Sequence, residues 1–303
     1  MSFSRIFLNS HYAQNNNPNF GGSFTTYLPS TVKVQQDFDL VSFIVQYYPL
    51  YPSIPNRCKT MAIVFSAGGV FVPCTINIDP YKDYSSIPNG IEVLVEDINT
   101  LIEAEVPLTI PAGSNIVTLD SGAGSTWTNK IKIDVGAVAG VVGFICGFED
   151  SGVPGAPESQ RNCLYHRLGF TGQESNGNYT GVFGTSTFVT SIESFGIPSI
   201  LRTSALYVSC PTVHDGLSVS GRTSIMKQIG IPIDMVAGDV LTDKTSYDFS
   251  NVISVGDSIQ AVTIELLDDD FEMLEMTPLA FIGLEIHVGI EEKRPSTAPQ
   301  VRH

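Results

Sequence analysis

The chain has 303 residues, enough for a sizeable core in one domain or two, so a small disulfide-stapled scaffold is excluded. Hydrophobic residues make up 43% and charged residues 16%, a composition that can bury a core and does not match intrinsic disorder. Sixteen Lys and Arg against 31 Asp and Glu leave a net charge of -15, which repels nucleic-acid phosphates, while 27 Gly and 18 Pro point to a turn-rich, mainly β protein.

Residues 1–22 are rich in Asn, Ser and Gly and read as a flexible N-terminal arm, with no long apolar run of the secretory kind. Two strands are expected over 24–29 (FTTYLP) and 34–48, where β-branched and aromatic residues dominate and Pro29, Pro49, Pro52 and Pro55 punctuate the ends. Short strand candidates follow in VFVPCTINI, NIVTL and NKIKIDV. Between them, Ile91, Leu94, Val95, Ile98 and Ile102 recur at helical spacing behind Pro88, predicting the one substantial helix.

The run VGAVAGVVGFICGF carries Gly136 and Gly140 as GxxxG, but it is shorter than the about 20 residues that span a bilayer and fits a buried strand with a close-packed turn. No membrane insertion is expected, and the chain reads as soluble and cytosolic. Asn178-Tyr179-Thr180 matches the glycosylation pattern and reads as an incidental loop tripeptide.

After residue 200 the strand signal is clearest. Leu206, Val208 and Cys210 form one stripe, and Ile225, Ile229, Ile231 and Ile233 mark another segment. Val262, Ile264 and Leu266 alternate with Thr263 and Glu265, then Ile282, Leu284, Ile286 and Val288 alternate with Gly283, Glu285 and His287. The expected organisation is a β-sandwich from 23–67 and 200–289, an inserted, mostly β section over 68–199 holding the helix, and a flexible tail over 290–303.

Candidate chemistry is sparse. VTLDSGAG at 117–124 resembles the active-site loop of retropepsin-like aspartic proteases, in which paired Asp residues share a proton; Asp120-Ser121-Gly122 is also an ordinary turn sequence, and that reading is preferred. The acidic run Asp268, Asp269, Asp270, Glu272 and Glu275 offers the oxygen ligands a Ca²⁺ ion takes, but lacks the EF-hand order and reads first as a solvated connection between strands. Cys163 and His166 sit close in sequence, yet a nucleophile and its base normally meet through the fold, so both are expected in core or loop. His11, His214, His287 and His303 form no ligand spacing. The five cysteines, Cys58, Cys74, Cys146, Cys163 and Cys210, form no CxxC and read as buried free thiols. No cofactor motif and no catalytic set is assigned.

The order of segments carries a family resemblance. FTTYLPSTVKVQQDFDLVSFIVQYYP, the helix IEVLVEDINTLI, the hairpin NIVTLDSGAGSTWTNKIKI and CLYHRLGF, with Leu164, Leu168, Gly169 and Phe170, stand in sequence. TSALYVSCPTV, SIMKQIGIP and SIQAVTIELLDDDFEMLEMTPLAFIGLEIHV then close the chain. This succession resembles the penton (minor capsid) proteins of virophages and Polinton-like viruses, of the mavirus type, over most of 24–290. It departs at 135–148 and in the Gly- and Pro-rich stretch that follows.

The resemblance implies a single jelly roll and a non-enzymatic virion protein. It implies a homopentamer at the icosahedral fivefold vertex, surrounded by a double jelly-roll major capsid protein and assembled inside the infected host cell. The low charge content suits a subunit packed against neighbours. The alternative readings are a β-sandwich binding module, taking carbohydrate or forming a chaperone-like ring, and then the aspartic protease.

Overall fold

The computed structural model describes residues 2–13, 15–16, 22–33, 38–120, 129–147, 163–170, 188–200, 203–212, 225–232, 234–244, 258–277 and 280–290. The chain divides into two compact units, the first made of residues 1–50 with 203–303 and the second of 51–202. The first unit opens with β1 (Ser2–Asn9), β2 (Asn15–Asn16), β3 (Ser23–Lys33) and β4 (Phe38–Gln46). The second contains β5 (Thr60–Ala67), β6 (Val70–Asn77), α1 (Gly90–Glu105), β7 (Val117–Asp120), β8 (Lys130–Asp134), β9 (Val141–Gly147), the single turn α2 (Leu164–Arg167) and β10 (Ser191–Glu193). The first unit resumes with β11 (Ala205–Ser209), β12 (Ile225–Gly230), β13 (Val240–Lys244), β14 (Ser258–Leu267) and β15 (Ile282–Ile290).

In the first unit the strands form two antiparallel sheets, ordered β1-β15-β4-β13 and β12-β11-β14-β3-β2. Setting aside the two-residue β2, eight strands remain among the described residues. In chain order, the first, eighth, third and sixth share one sheet, and the fifth, fourth, seventh and second share the other. That alternation between sheets is the jelly-roll connection.

The alternation in sequence explains the layering. Ile6, Leu8, Phe43, Val45, Leu284 and Ile286 face inward from the first sheet, meeting Phe24, Leu206, Val208, Val262, Ile264 and Leu266 from the second in one buried cluster. Each such side chain contributes roughly 1.5–3 kcal/mol of burial. The second unit is spliced between the third and fourth strands of this roll.

Two expectations are corrected. Residues 2–9, read as part of a flexible arm, form β1, paired with β15 from Ser2↔Ile290 to Asn9↔Gly283. Among its described side chains Ile6 and Leu8 are buried and Phe7 between them is exposed, too short a pattern to stand out, and the ladder to β15 supplies what local sequence does not. Residues 51–67, assigned to the sandwich, belong to the second unit, and the return lies at 202/203 rather than 199/200. The reason is β5: it is the central strand of the sheet β6-β5-β9, with Met61, Ile63 and Phe65 buried in that unit's own core. The tail beyond residue 290 lies outside the described residues.

The second unit also contains the sheet β10-β8-β7 and the expected helix. Leu94, Val95, Ile98 and Ile102 form the buried face of α1, while Ile91 is only partly buried. Asn89 precedes the helix at φ 57, and a Cβ on Gly90 would lie 1.8 Å from the Tyr84 carbonyl oxygen, so only glycine lets the chain turn into the helix here. Leu164, Tyr165, Leu168 and Phe170 are all buried around α2, and the Tyr165 hydroxyl donates to the Ala62 carbonyl at 2.7 Å.

Candidate functional site

The acidic turn between β14 and β15 is built by its own carboxylates. Asp268 is 3% exposed, and its Oδ1 accepts from the backbone N–H groups of Asp270 (3.0 Å) and Glu272 (3.1 Å). Asp269 points elsewhere: its two oxygens accept from the N–H groups of Ser204 (2.7 Å) and Ala205 (3.1 Å), at the start of β11. Phe271 takes φ 59 and packs its ring on Tyr207, with centroids 4.6 Å apart. The turn therefore ties the backbone of Asp270 and Glu272 to the Asp268 carboxylate and directs the Asp269 carboxylate to a neighbouring strand. Among the described residues, no group of three or more His, Cys, Asp or Glu side chains is arranged to hold a metal.

Asp120 ends β7, opposite Lys130 of β8, and is exposed. The next residues of its DSGAG motif, 121–124, lie outside the described residues. The hairpin's charges are spread along β8 and β10, with Lys130 3.1 Å from Glu193 and Lys132 2.6 Å from Asp134. Hydrogen bonds from the Lys132 ammonium and the Gly136 N–H hold the Asp134 carboxyl below its ordinary pKa.

All five cysteines are buried thiols outside any disulfide. Burial pushes the Cys163 thiol up to about 12, against hydrogen bonds from the His166 and Tyr165 backbone, and burial likewise pushes Cys74 up to about 12. A thiolate is the nucleophilic form, so at neutral pH Cys163 is an unreactive core group. His287 is buried, with Nε2 3.1 Å from Glu285 Oε1, and His11 is exposed with its ring against Phe281. His214, His303 and Asn178 lie outside the described residues.

Sequence reasoning missed the exposed apolar side chains of the second unit. Phe71 is 65% exposed and Val142 67%, at one end of the sheet β6-β5-β9, and Phe195 (65%) and Ile197 (64%) project just after β10. Their signal was available only as large apolar residues inside charge-free segments, a pattern that buried strands share. Isolated exposed hydrophobics are ordinary; clustered ones mark contact surfaces.

No family model and no curated protein sequence matches the chain. Among solved structures, the fold is similar to the crystal structure of a selenomethionine-labelled mavirus penton protein, with a TM-score of 0.39 and 10% sequence identity. The likeness covers 94% of this chain and 99% of that one.

Proposed function

We propose that this chain is a structural, non-enzymatic virion protein. In this reading it is a penton subunit, five copies of which close a ring at an icosahedral fivefold vertex and contact a double jelly-roll major capsid protein during assembly in the host cell. The supporting observation is the strand order: a complete eight-strand jelly roll interrupted by a second unit between its third and fourth strands. Jelly rolls serve capsids, lectins and other binding proteins, so the fold alone does not choose among these roles.

The ordered motifs favour the capsid role. FTTYLPSTVKVQQDFDLVSFIVQYYP covers β3 and β4, TSALYVSC holds β11, SIMKQIGIP holds β12, and SIQAVTIELL through GLEIHV runs from β14 into β15. These segments are strands of one roll, while IEVLVEDINTLI, NIVTLDSGAGSTWTNKIKI and CLYHRLGF fall in the second unit.

Two measurements test the proposal. Native mass spectrometry with thiols kept reduced is expected to show a species five times the chain mass. Electron microscopy of particles co-expressed with a major capsid protein is expected to show this chain at the vertices. A strict monomer together with empty vertices overturns the reading. A pepstatin-sensitive cleavage activity lost in Asp120→Asn would overturn its non-enzymatic part.

A further inference from the structure

The second unit carries two apolar surfaces of different construction. Gly68 and Gly69, at φ 56 and 79, make the two-residue turn between the paired residues Ala67 and Val70, with nothing within 4 Å of where either Cβ would stand. The Gly68 N–H donates to the Gly140 carbonyl at 3.2 Å, tying this hairpin tip to the turn that leads into β9. Val70, Phe71 and Val142 are exposed on the joined tips, and the Phe71 ring stacks on Phe188 with centroids 5.1 Å apart and planes 10° from parallel. Residues 66–72 and 135–144, which form these tips, and 188–190 beside them contain no Asp, Glu, Lys, Arg or His.

The second surface is a projection on a pinned backbone. The Ser194 N–H donates to the Ile131 carbonyl at 2.7 Å, and its hydroxyl oxygen accepts from the Ile131 N–H at 3.0 Å. The Gly196 N–H donates to the Gly169 carbonyl at 2.9 Å, and the Ser199 N–H donates to the Arg167 carbonyl at 2.7 Å. A Cβ on Gly169 would lie 2.4 Å from the Gly196 oxygen, so the two segments are in direct backbone contact. Phe195 and Ile197 are therefore displayed on a loop already fixed before any partner arrives, which removes the ordering cost of binding.

We propose that Phe195 and Ile197 of one copy dock on the Phe71–Val142 surface of the next copy of this chain. The occupant is a second copy for two reasons. A chain of net charge -15 repels its own kind, and the contact that avoids opposing carboxylates is one made by a surface without charges. A ring also needs a heterologous contact between two unlike surfaces of each subunit, and this unit supplies both. The inference rests on the ring reading above and adds the surfaces that form the ring.

The test is sedimentation velocity of the full chain over a concentration series. Phe195→Asp, Ile197→Ser and Phe71→Asp are each expected to weaken self-association, on the order of 100-fold for the aromatic changes. The two variants on the projecting loop are expected to keep the wild-type melting temperature, because their side chains are exposed. An equimolar mixture of Phe195→Asp and Phe71→Asp has one intact pairing, so it is expected to form dimers and no rings. Oligomers unchanged in all three variants overturn the inference and leave the ring reading standing, as does a wild-type monomer whose vertices are filled in particles. Flotation with zwitterionic vesicles that Phe71→Asp abolishes, with self-association unchanged, assigns the Phe71–Val142 surface to lipid and also overturns it.

Discussion

Asn99, on the buried face of α1, holds both backbone groups of Val117: its Nδ2 donates to the Val117 carbonyl at 2.8 Å, and its Oδ1 accepts from the Val117 N–H at 2.9 Å. β7 is the edge of the sheet β10-β8-β7, and the carboxamide takes the place of the strand neighbour that edge lacks. Asn99→Leu removes both bonds and leaves a buried donor and acceptor unpaired, for an expected loss of about 2–5 kcal/mol. Asn99→Asp keeps an acceptor but loses the donor, and is expected to be nearly as damaging. Urea unfolding midpoints of the two variants check this; a loss under about 1 kcal/mol in both would mean that water replaces the amide.

Asp269 plays a comparable part in the first unit, where it receives the N–H groups of Ser204 and Ala205 as the chain returns into the jelly roll. Asp269→Ala is expected to cost about 1–2 kcal/mol, Asp269→Asn less because one acceptor oxygen remains, and Glu272→Gln close to nothing. Calorimetric titration with Ca²⁺ is expected to register no binding at this turn, because oxygens of Asp268 and Asp269 already accept backbone N–H groups. Heat of binding lost in Asp269→Ala would contradict that account.

How much of this could be read from the sequence depends on whether local pattern or distant contact decides the element. Val262, Ile264 and Leu266 in β14, and Ile282, Leu284 and Ile286 in β15, alternate because each strand has one buried face, and the alternation is visible without a partner. The face of α1 was visible at Leu94, Ile98 and Ile102 for the same reason. Asn99 was not, because a polar residue inside an apolar stripe looks like an interruption until Val117 is seen beside it. β1 was lost because its pairing partner stands at the other end of the chain. The position of β5 in the second unit was equally hidden: Met61, Ile63 and Phe65 specify a buried face, but not which sheet that face belongs to. The acidic run was recognised as a connection between strands, yet the division of labour between Asp268 and Asp269 depends on where Ser204 lies.

Lys227 on β12 and Asp243 on β13 form an ion pair that joins the two sheets of the jelly roll, with the Lys227 side chain only 12% exposed and that of Asp243 32%. Removing Asp243 takes the carboxylate from a largely desolvated ammonium. Asp243→Ala is expected to cost roughly 2–3 kcal/mol, below the full cost of breaking a buried pair because the carboxylate keeps some contact with solvent. The double variant Lys227→Met with Asp243→Ala is expected to recover part of that loss, since no buried charge is left behind. Guanidinium unfolding of the two singles and the double gives the coupling, and a double variant less stable than both singles would show that the pair is not where the cost arises.

The last prediction concerns alkaline pH. Burial pushes Cys74 and Cys163 up to about 12 in the folded chain, from an ordinary value of 9.0, and raises Cys146 and Tyr165 as well. A folded-state pKa above the unfolded one means that the unfolded chain releases its proton first as pH rises. The contribution of each thiol is therefore whole below pH 9 and is lost between pH 9 and about 12. Each fully shifted thiol removes about 1.4 kcal/mol of stability per pH unit in that window. The melting temperature is expected to be flat from pH 7 to 8.5 and then to fall steeply. Cys163→Ala is expected to start lower, having left a cavity, but to fall less steeply above pH 9. At pH 7.5 an aromatic disulfide reagent is expected to label none of the five cysteines until the chain is unfolded. Rapid labelling of native protein at Cys163, or a Cys163→Ala slope equal to that of the wild type, would show that this thiol is not held neutral by burial.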